Sequence, residues 1–373
     1  MRTRWITLLA LLTLMAAACN SGSPIEGPAG DTPAEGDAAA CEEGETDGDL
    51  LLYNWSEYID PELVEAFESE HGVTLTEDFY PSNEEMLARV QSGASGYDVV
   101  VPSDYMVSIM IEEELLLPLD RDAIPNWENI SDQFLAPPYD PDLEFSMPYQ
   151  WGTTGLGVNL DAVGEDYEPS WGLVFDADLA DEHAGRISML DDPRETLGAA
   201  LVYLGYSINS TSEDELAEAA ELVAEATGRL AAYSSDQYSD LLMAGETVIA
   251  HGYSGGFFAA YDEAENPDQW DYFVPAEGGT IWTDNMAILG DAPHPCTAHT
   301  FINFILDAEN GAALTNWTYY ASPNAAAEEN IISEILEDPA IYPDDELMAN
   351  LQFIEDTGDF EIQYQDHFSR AKG

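Results

Sequence analysis

Positive charge is what this sequence has least of. Nine basic residues stand against 74 acidic ones in a chain of 373, a formal net charge of −65, and Lys372 is the only lysine. Binding a nucleic acid needs a basic face that displaces counterions, so nucleic acid is excluded as a partner. Long apolar runs are missing as well. The run over residues 5–15 is shorter than the about 20 residues that span a bilayer, and a multi-span membrane protein is ruled out. A hydrophobic content of 45% is normal for a chain that buries a core, which removes disorder and collagen, and the length suits about two domains. The charge balance fits a cationic ligand or a salty habitat.

Residues 1–18 carry Arg2 and Arg4, then the apolar run, then Ala16, Ala17 and Ala18. This is the charged, apolar, small-residue order of an export signal. The small residues directly before Cys19 resemble a bacterial lipoprotein signal, in which the cysteine becomes the lipidated first residue, although Ala16 stands where that signal usually has Leu. Residues 20–48 contain Ile25 as their only large apolar side chain. Such a segment cannot offset its ordering entropy by burial and reads as a flexible acidic tether. In an oxidising compartment two leftover cysteines are commonly bridged, and a Cys41–Cys296 disulfide would pin the tether to the folded body. His294, Cys296 and His299 in HPCTAH form one short cluster without a second, so they read as surface residues before a helix rather than as metal ligands.

From residue 49 onward apolar runs alternate with helical periods. Strands are expected over residues 49–54, 73–79 and 97–102, with helices over 61–71, 82–91 and 105–115. Pro61 opens the first helix and Gly72 closes it, while Ser82 and Glu85 have capping-box spacing. Strands alternating with helices predict parallel βαβ units. Residues 145–159 look like extended chain crossing between domains. A second set follows, with strands over 186–190 and 247–252, helices over 195–206 and 213–233, and a short helix around Leu241. A strand over 282–289 and a helix over 300–306 could return the chain to the first domain.

Two constellations could carry chemistry. Gly252-Tyr253-Ser254-Gly255-Gly256 matches G-x-S-x-G between an expected strand and helix, with aspartates and His294, His299 and His367 downstream, in the order of a serine esterase. No HGGG-like oxyanion segment precedes it, and a glycine-rich turn is the plainer reading. The second constellation is aromatic residues beside carboxylates at strand ends: Trp55, Glu57 and Tyr58; Ser103, Asp104 and Tyr105; Asp191, Asp192 and Glu195; Trp282 and Asp284. Ligands of open α/β sheets bind at the carboxyl ends of strands. Ring faces attract cations by about 0.5–2 kcal/mol, carboxylates pair with ammonium groups, and methylene segments pack on the same rings. Taken singly, each ring is more often core, and Asp192 or Asp104 could merely cap a helix; recurrence at strand ends favours one cleft.

The stretches YNWSEYIDPELVEAF, SNEEM, YDVVVPSDY, MPYQWGTTGLGVN, LDDPRE, EGGTIWTDNMAI and FINFILD run in order with few gaps from about residue 50 to near the C-terminus. Together they closely resemble the periplasmic spermidine/putrescine-binding proteins of polyamine ABC transporters. The resemblance implies an α/β, two-lobed class II periplasmic-binding fold, each lobe a mainly parallel sheet flanked by helices, with hinge crossings near Gly152, Thr283 and Tyr320. Lobe 1 is expected from residues 49–153 and 283–328, and lobe 2 from 154–282 and 329–373. It further implies that Trp55 and Tyr58 form an aromatic pair, that Ser103 and Tyr105 lie on a ligand-facing turn, and that Asp192 and Glu195 hold an amino group. Trp282 and Asp284 match the family's W-x-D motif, and Tyr320 the tyrosine ahead of its PN turn. Tyr253 stands where the family often has tryptophan, and Ile354 where the spermidine binders have a glutamine.

The expectation is therefore an exported, lipid-anchored, monomeric solute-binding protein that hands a polyamine to an ABC permease, without cofactor, metal or catalytic role. Under this resemblance Tyr253 rather than Ser254 is the working residue of GYSGG. The acidity has two readings, steering of polycations or a salt-adapted surface. The second is favoured, because salt screens steering and the acids extend over the whole chain.

Overall fold

Period-two alternation organises the first strand. In β1 (Leu50–Asn54) Leu50 and Leu52 pack with Phe67 and Phe301 on one face, and Tyr53 packs with Tyr80 and Tyr97 on the other, as successive side chains of a strand must diverge. The computed structural model describes residues 40–93 and 96–373; the expected export signal, Cys19 and most of the expected tether lie outside them. The remaining strands are β2 (Leu75–Phe79), β3 (Val99–Val100), β4 (Ser146–Asn159), β5 (Ile187–Met189), β6 (Leu230–Tyr233), β7 (Ile249–Tyr253), β8 (Trp270–Phe273), β9 (Gly279–Ile288) and β10 (Leu351–Phe353). Their order is β2-β1-β3-β9-β4-β7-β5-β6, with β10 on β9 and β8 on β4.

Pairing is parallel toward both ends of this order and antiparallel in its middle. The parallel ends are the expected βαβ units. The middle is made by β4, fully buried along its length, which runs beside β9 from Ser146 opposite Ala287 to Thr154 opposite Thr280. Its second half lies beside β7 and β8. The segments around the expected crossings at Gly152, Thr283 and Tyr320 run side by side: Gly152 is opposite Trp282, and the adjacent Trp151 is opposite Thr283 and exchanges two backbone hydrogen bonds of 3.1 Å with Ala321.

Caps fix the helices that follow the strands. Asp60 and Pro61 open the helix Pro61–His71, and Gly72 ends it at a φ of 70°, a conformation glycine adopts without steric cost. Ser82 Oγ accepts from Glu85 N at 3.3 Å to start the helix Asn83–Gln91. Asp192 accepts from the amides of Arg194 and Glu195 to start the helix Pro193–Tyr203.

Several expectations need correction. A helix over residues 213–233 ends instead at Thr227, and after Gly228 the chain becomes β6, whose amides and carbonyls pair with β5. Short apolar segments such as LAAY do not distinguish helix from strand until a neighbouring edge is available. The third helix is Asp104–Glu112 and stops before Glu114, which takes a φ of 56°. The strands β8 and β10 were not foreseen, nor were the helices Ala308–Thr318 and Glu361–Lys372.

Residues 41–48, expected within a flexible tether, are held to the folded body at both ends, although 42–47 stay exposed. Cys41 is bonded to Cys296 and buried. Asp47 accepts from Cys296 N and Thr297 N, which caps the helix Pro295–Ile305 from outside it. The other members of HPCTAH are engaged separately. His299 Nε2 accepts from Asp120 N at 2.9 Å, and His294 lies 3.5 Å from Asp98. No helix among the described residues is long and apolar enough to cross a membrane.

Candidate ligand-binding site

The carboxyl ends of β1, β3, β5 and β7, together with β9, surround a cavity of about 420 Å³. All ten residues expected at a site, Trp55, Tyr58, Ser103, Tyr105, Asp192, Glu195, Tyr253, Trp282, Asp284 and Tyr320, line it, and so does Ile354.

Rings form one wall. Tyr58 meets Tyr320 edge to face at 5.2 Å, Tyr320 meets Trp282 at 5.2 Å, and Trp282 meets Tyr253 at 5.9 Å. Tyr149 and Tyr238 extend this chain at its two ends. Polar tips lock the rings: Trp282 Nε1 donates to Thr154 Oγ1 at 3.2 Å, Trp55 Nε1 to Val101 O at 2.9 Å, and Gly256 N to the Tyr320 hydroxyl at 3.3 Å. Buried Tyr and Trp side chains are stable only when such donors find acceptors.

Carboxylates face the rings. Asp284 accepts from the Tyr58 hydroxyl at 2.7 Å and from Ser103 Oγ at 2.6 Å. Ser103 is itself held by Asn83, whose Nδ2 donates to Ser103 Oγ and whose Oδ1 accepts from Ser103 N. Asp192 caps its helix and also lines the cavity, so the structural and the ligand-facing readings of this residue coexist. Glu195 accepts from Thr154 Oγ1 at 3.0 Å, while its Oε2 is buried without a partner. Asp104 accepts from Tyr105 N and Thr283 N.

Burial pushes Glu195 and Asp284 up to about 7 and Asp104 up to about 8. Asp192 is raised by burial and then by the charge of Glu195. The cause is desolvation of the charged form. Arg194 is the buried cation nearby, but it is paired with Glu361 and stacked on Tyr364. The cavity therefore holds more buried carboxyl groups than nearby protein cations can pair. An unpaired buried carboxylate is costly, and a bound cation relieves the cost.

Sequence reasoning missed Asn83, Glu84, Thr154 and Tyr238, and also Asp236, Asp240, Asp262 and Glu263 at the cavity mouth. Asn83 and Glu84 lie inside the SNEEM segment, which was read for its cap and for the family resemblance but not for site residues. The mouth acids carry no local signal in a chain with 74 acids.

The esterase reading finds no support in the structure. Ser254 opens a helix as expected of an elbow, but its Oγ is buried and accepts from Thr153 N at 3.4 Å. His299 is bound to Asp120, His294 lies by Asp98, and His367 is on the C-terminal helix. His251 is buried edge-on to Trp171, with burial lowering its proton affinity to about 3. No described histidine hydrogen-bonds Ser254.

Comparison with known proteins agrees with this architecture. Residues 62–347 match the family of bacterial extracellular solute-binding proteins. A putrescine/cadaverine-binding protein of Pseudomonas aeruginosa is 36% identical over 82% of this chain and 88% of its own. A spermidine/putrescine-binding periplasmic protein of Salmonella typhimurium is 34% identical over 87% of this chain and 91% of its own. A solved structure of a putative spermidine/putrescine ABC transporter from Listeria monocytogenes superposes with a TM-score of 0.82, at 34% identity, covering 87% of this chain and 99% of that one. The chain belongs to the bacterial extracellular solute-binding protein family, and its fold is the two-lobed class II arrangement of periplasmic binding proteins.

Proposed function

We propose that this solute-binding protein captures a polyamine in the cavity and delivers it to an ABC permease. The observation that carries this reading is the set of buried carboxylates Asp192, Glu195 and Asp284 beside a continuous chain of rings, with Arg194 already committed to Glu361. Terminal ammonium groups pair with the acids through charge-assisted hydrogen bonds, and the rings cover both the cations and the methylenes between them. The names of the relatives support the same ligand class. Tyr253 acts as wall in place of a tryptophan. Ile354 makes its part of the cavity apolar, which leaves amine recognition to the carboxylates.

The lobes divide as residues 49–153 with 283–328 and 154–282 with 329–373, hinged where Trp151 meets Thr283 and Ala321. Closure is driven by the higher affinity of the closed form for ligand. The protein acts as an exported monomer held to the membrane through a lipidated Cys19, and it performs no catalysis.

Calorimetric titration with putrescine, spermidine, spermine and a neutral amino acid, at low and high salt, tests the reading. One-to-one polyamine binding that survives high salt is expected, because buried pairs are screened far less than surface ones. Heat that appears only at low salt, without saturation, would reduce the acids to a cation-condensing surface.

A further inference from the structure

The segment Gly252-Tyr253-Ser254-Gly255-Gly256 has a use that its serine does not explain. None of its three glycines has room for a Cβ. At Gly252 the added atom would stand 2.2 Å from the Tyr238 ring, and at Gly256 2.1 Å from the Tyr238 hydroxyl oxygen. At Gly255 it would stand 2.6 Å from both Thr318 O and the Tyr320 ring. Gly252 and Gly256 thus leave a notch that Tyr238 fills, and Gly255 lets Tyr320 lie against the first turn of the helix Ser254–Asp262. Tyr238 opens the helix Tyr238–Met243 after β6, is buried, and reaches the cavity.

From this notch Tyr238 touches two members of the ring wall. Its ring meets Tyr253 edge to face at 5.8 Å, and its hydroxyl donates to Tyr253 O at 3.3 Å. The same hydroxyl lies 3.5 Å from that of Tyr320, which also accepts from Gly256 N at 3.3 Å. Trp282 contacts both Tyr253 and Tyr320 as well, so the four residues close a loop. The two residues bridged by Tyr238 belong to different ends of the site. Tyr320 packs on Tyr58, whose hydroxyl donates to Asp284. Tyr253 stands opposite Thr154 across β7 and β4, and Thr154 Oγ1 donates to Glu195.

We propose that Tyr238 is a positioning residue that sets the spacing between the Asp284 and Glu195 ends of the cavity, and through it the length of polyamine that is accepted. An ammonium group at each carboxylate fixes the number of methylenes that can lie along the rings between them. A site with rigidly spaced ends separates ligands differing by one methylene by about 10–200-fold. A site whose ends can drift accepts neighbours in a series more evenly. Because the notch holds the Tyr238 ring, its hydroxyl is a fixed point against which Tyr253 and Tyr320 are both set. The acids grip the ligand and the wall covers it; Tyr238 acts through two residues of that wall.

The inference rests on the polyamine reading, and its test separates the two. Calorimetry gives dissociation constants for linear diamines of about three to six carbons, and for norspermidine, spermidine and homospermidine, triamines that differ by one methylene at each step. The parent protein should prefer one length in at least one of these series. Tyr238→Phe keeps the ring in its notch and removes the hydroxyl. It should cut the affinity ratio between the preferred ligand and its one-methylene neighbours by at least about threefold. An unchanged ratio overturns the proposal. So does a loss of affinity by one constant factor at every length, which marks a merely structural role. Should the variant not fold, Tyr320→Phe removes the same contact from its other partner and carries the same expectation. Equal affinity along both series in the parent protein overturns the proposal outright. Failure of the parent protein to bind any of these amines overturns the polyamine reading on which it stands.

Discussion

The Tyr58 hydroxyl and Asp284 Oδ2 meet at 2.7 Å across 226 residues of sequence. With Ser103 Oγ on the other oxygen at 2.6 Å, both acceptor atoms of this buried carboxylate point along fixed directions before any ligand arrives. Such preorganisation lowers the ordering cost of binding.

Asp284→Asn keeps the shape of this group and removes its charge. Polyamine affinity should fall at least about tenfold, the loss of one charge-assisted pair, with the fold retained. An unchanged dissociation constant by calorimetry would take Asp284 out of the site.

The buried acids also set a pH dependence of stability. Unfolded carboxyl groups lose their protons near pH 4, whereas Glu195 and Asp284 hold theirs to about 7 and Asp104 to about 8. Across that window the folded state binds more protons than the unfolded one, so stability falls as pH rises. The melting temperature of the ligand-free protein should be lower near pH 8 than near pH 5.5, and saturating putrescine should narrow the gap by supplying the missing positive charge. A melting temperature that rises over this interval contradicts the assignment.

Gly152 is held by contact rather than by backbone conformation. A Cβ there would stand 2.8 and 2.9 Å from ring atoms of Trp282 and 3.0 Å from Ser254 Oγ. Gly152→Ala is expected to displace the Trp282 ring, weaken ligand binding several-fold and cost about 1–3 kcal/mol of stability. Titration and denaturant unfolding of the same sample check both effects; an intact affinity would show that Trp282 does not set the ligand's position.

The Cys41–Cys296 bond closes a separation of 255 residues and packs against Ala123, away from the cavity-lining residues. Replacing Cys41 by Ser should lower stability by about 2–4 kcal/mol while leaving polyamine affinity in place. Thiol titration under non-reducing conditions, followed by unfolding, decides the matter: two reactive thiols in the native protein would mean that the bridge is not formed.

Much of the fold was legible because local rules agree with it. Pro61 and Gly72 bound a helix, Ser82 caps the next, and β1 alternates by twos. Where the local signal is degenerate the reading failed. The segment LAAY was assigned to a helix and is β6, since only the presence of β5 alongside makes its extended form favourable. Residues 41–48 look like linker by composition, yet Asp47 satisfies the amides that begin the helix Pro295–Ile305. That partnership spans 250 residues and leaves no trace in local sequence.

The sequence by itself pointed toward a cationic solute through repeated aromatic and acidic pairs at strand ends, whereas its overall acidity fits a salt-adapted surface equally well. It could not rank the 74 acids, because a carboxylate's role depends on how much water the fold removes from it. Tertiary structure made that selection. It buried Asp104, Asp192, Glu195 and Asp284 around one cavity and gave Arg194 to Glu361. Desolvation acts only on groups that the folded chain has enclosed, and enclosure is a property of contacts between distant segments.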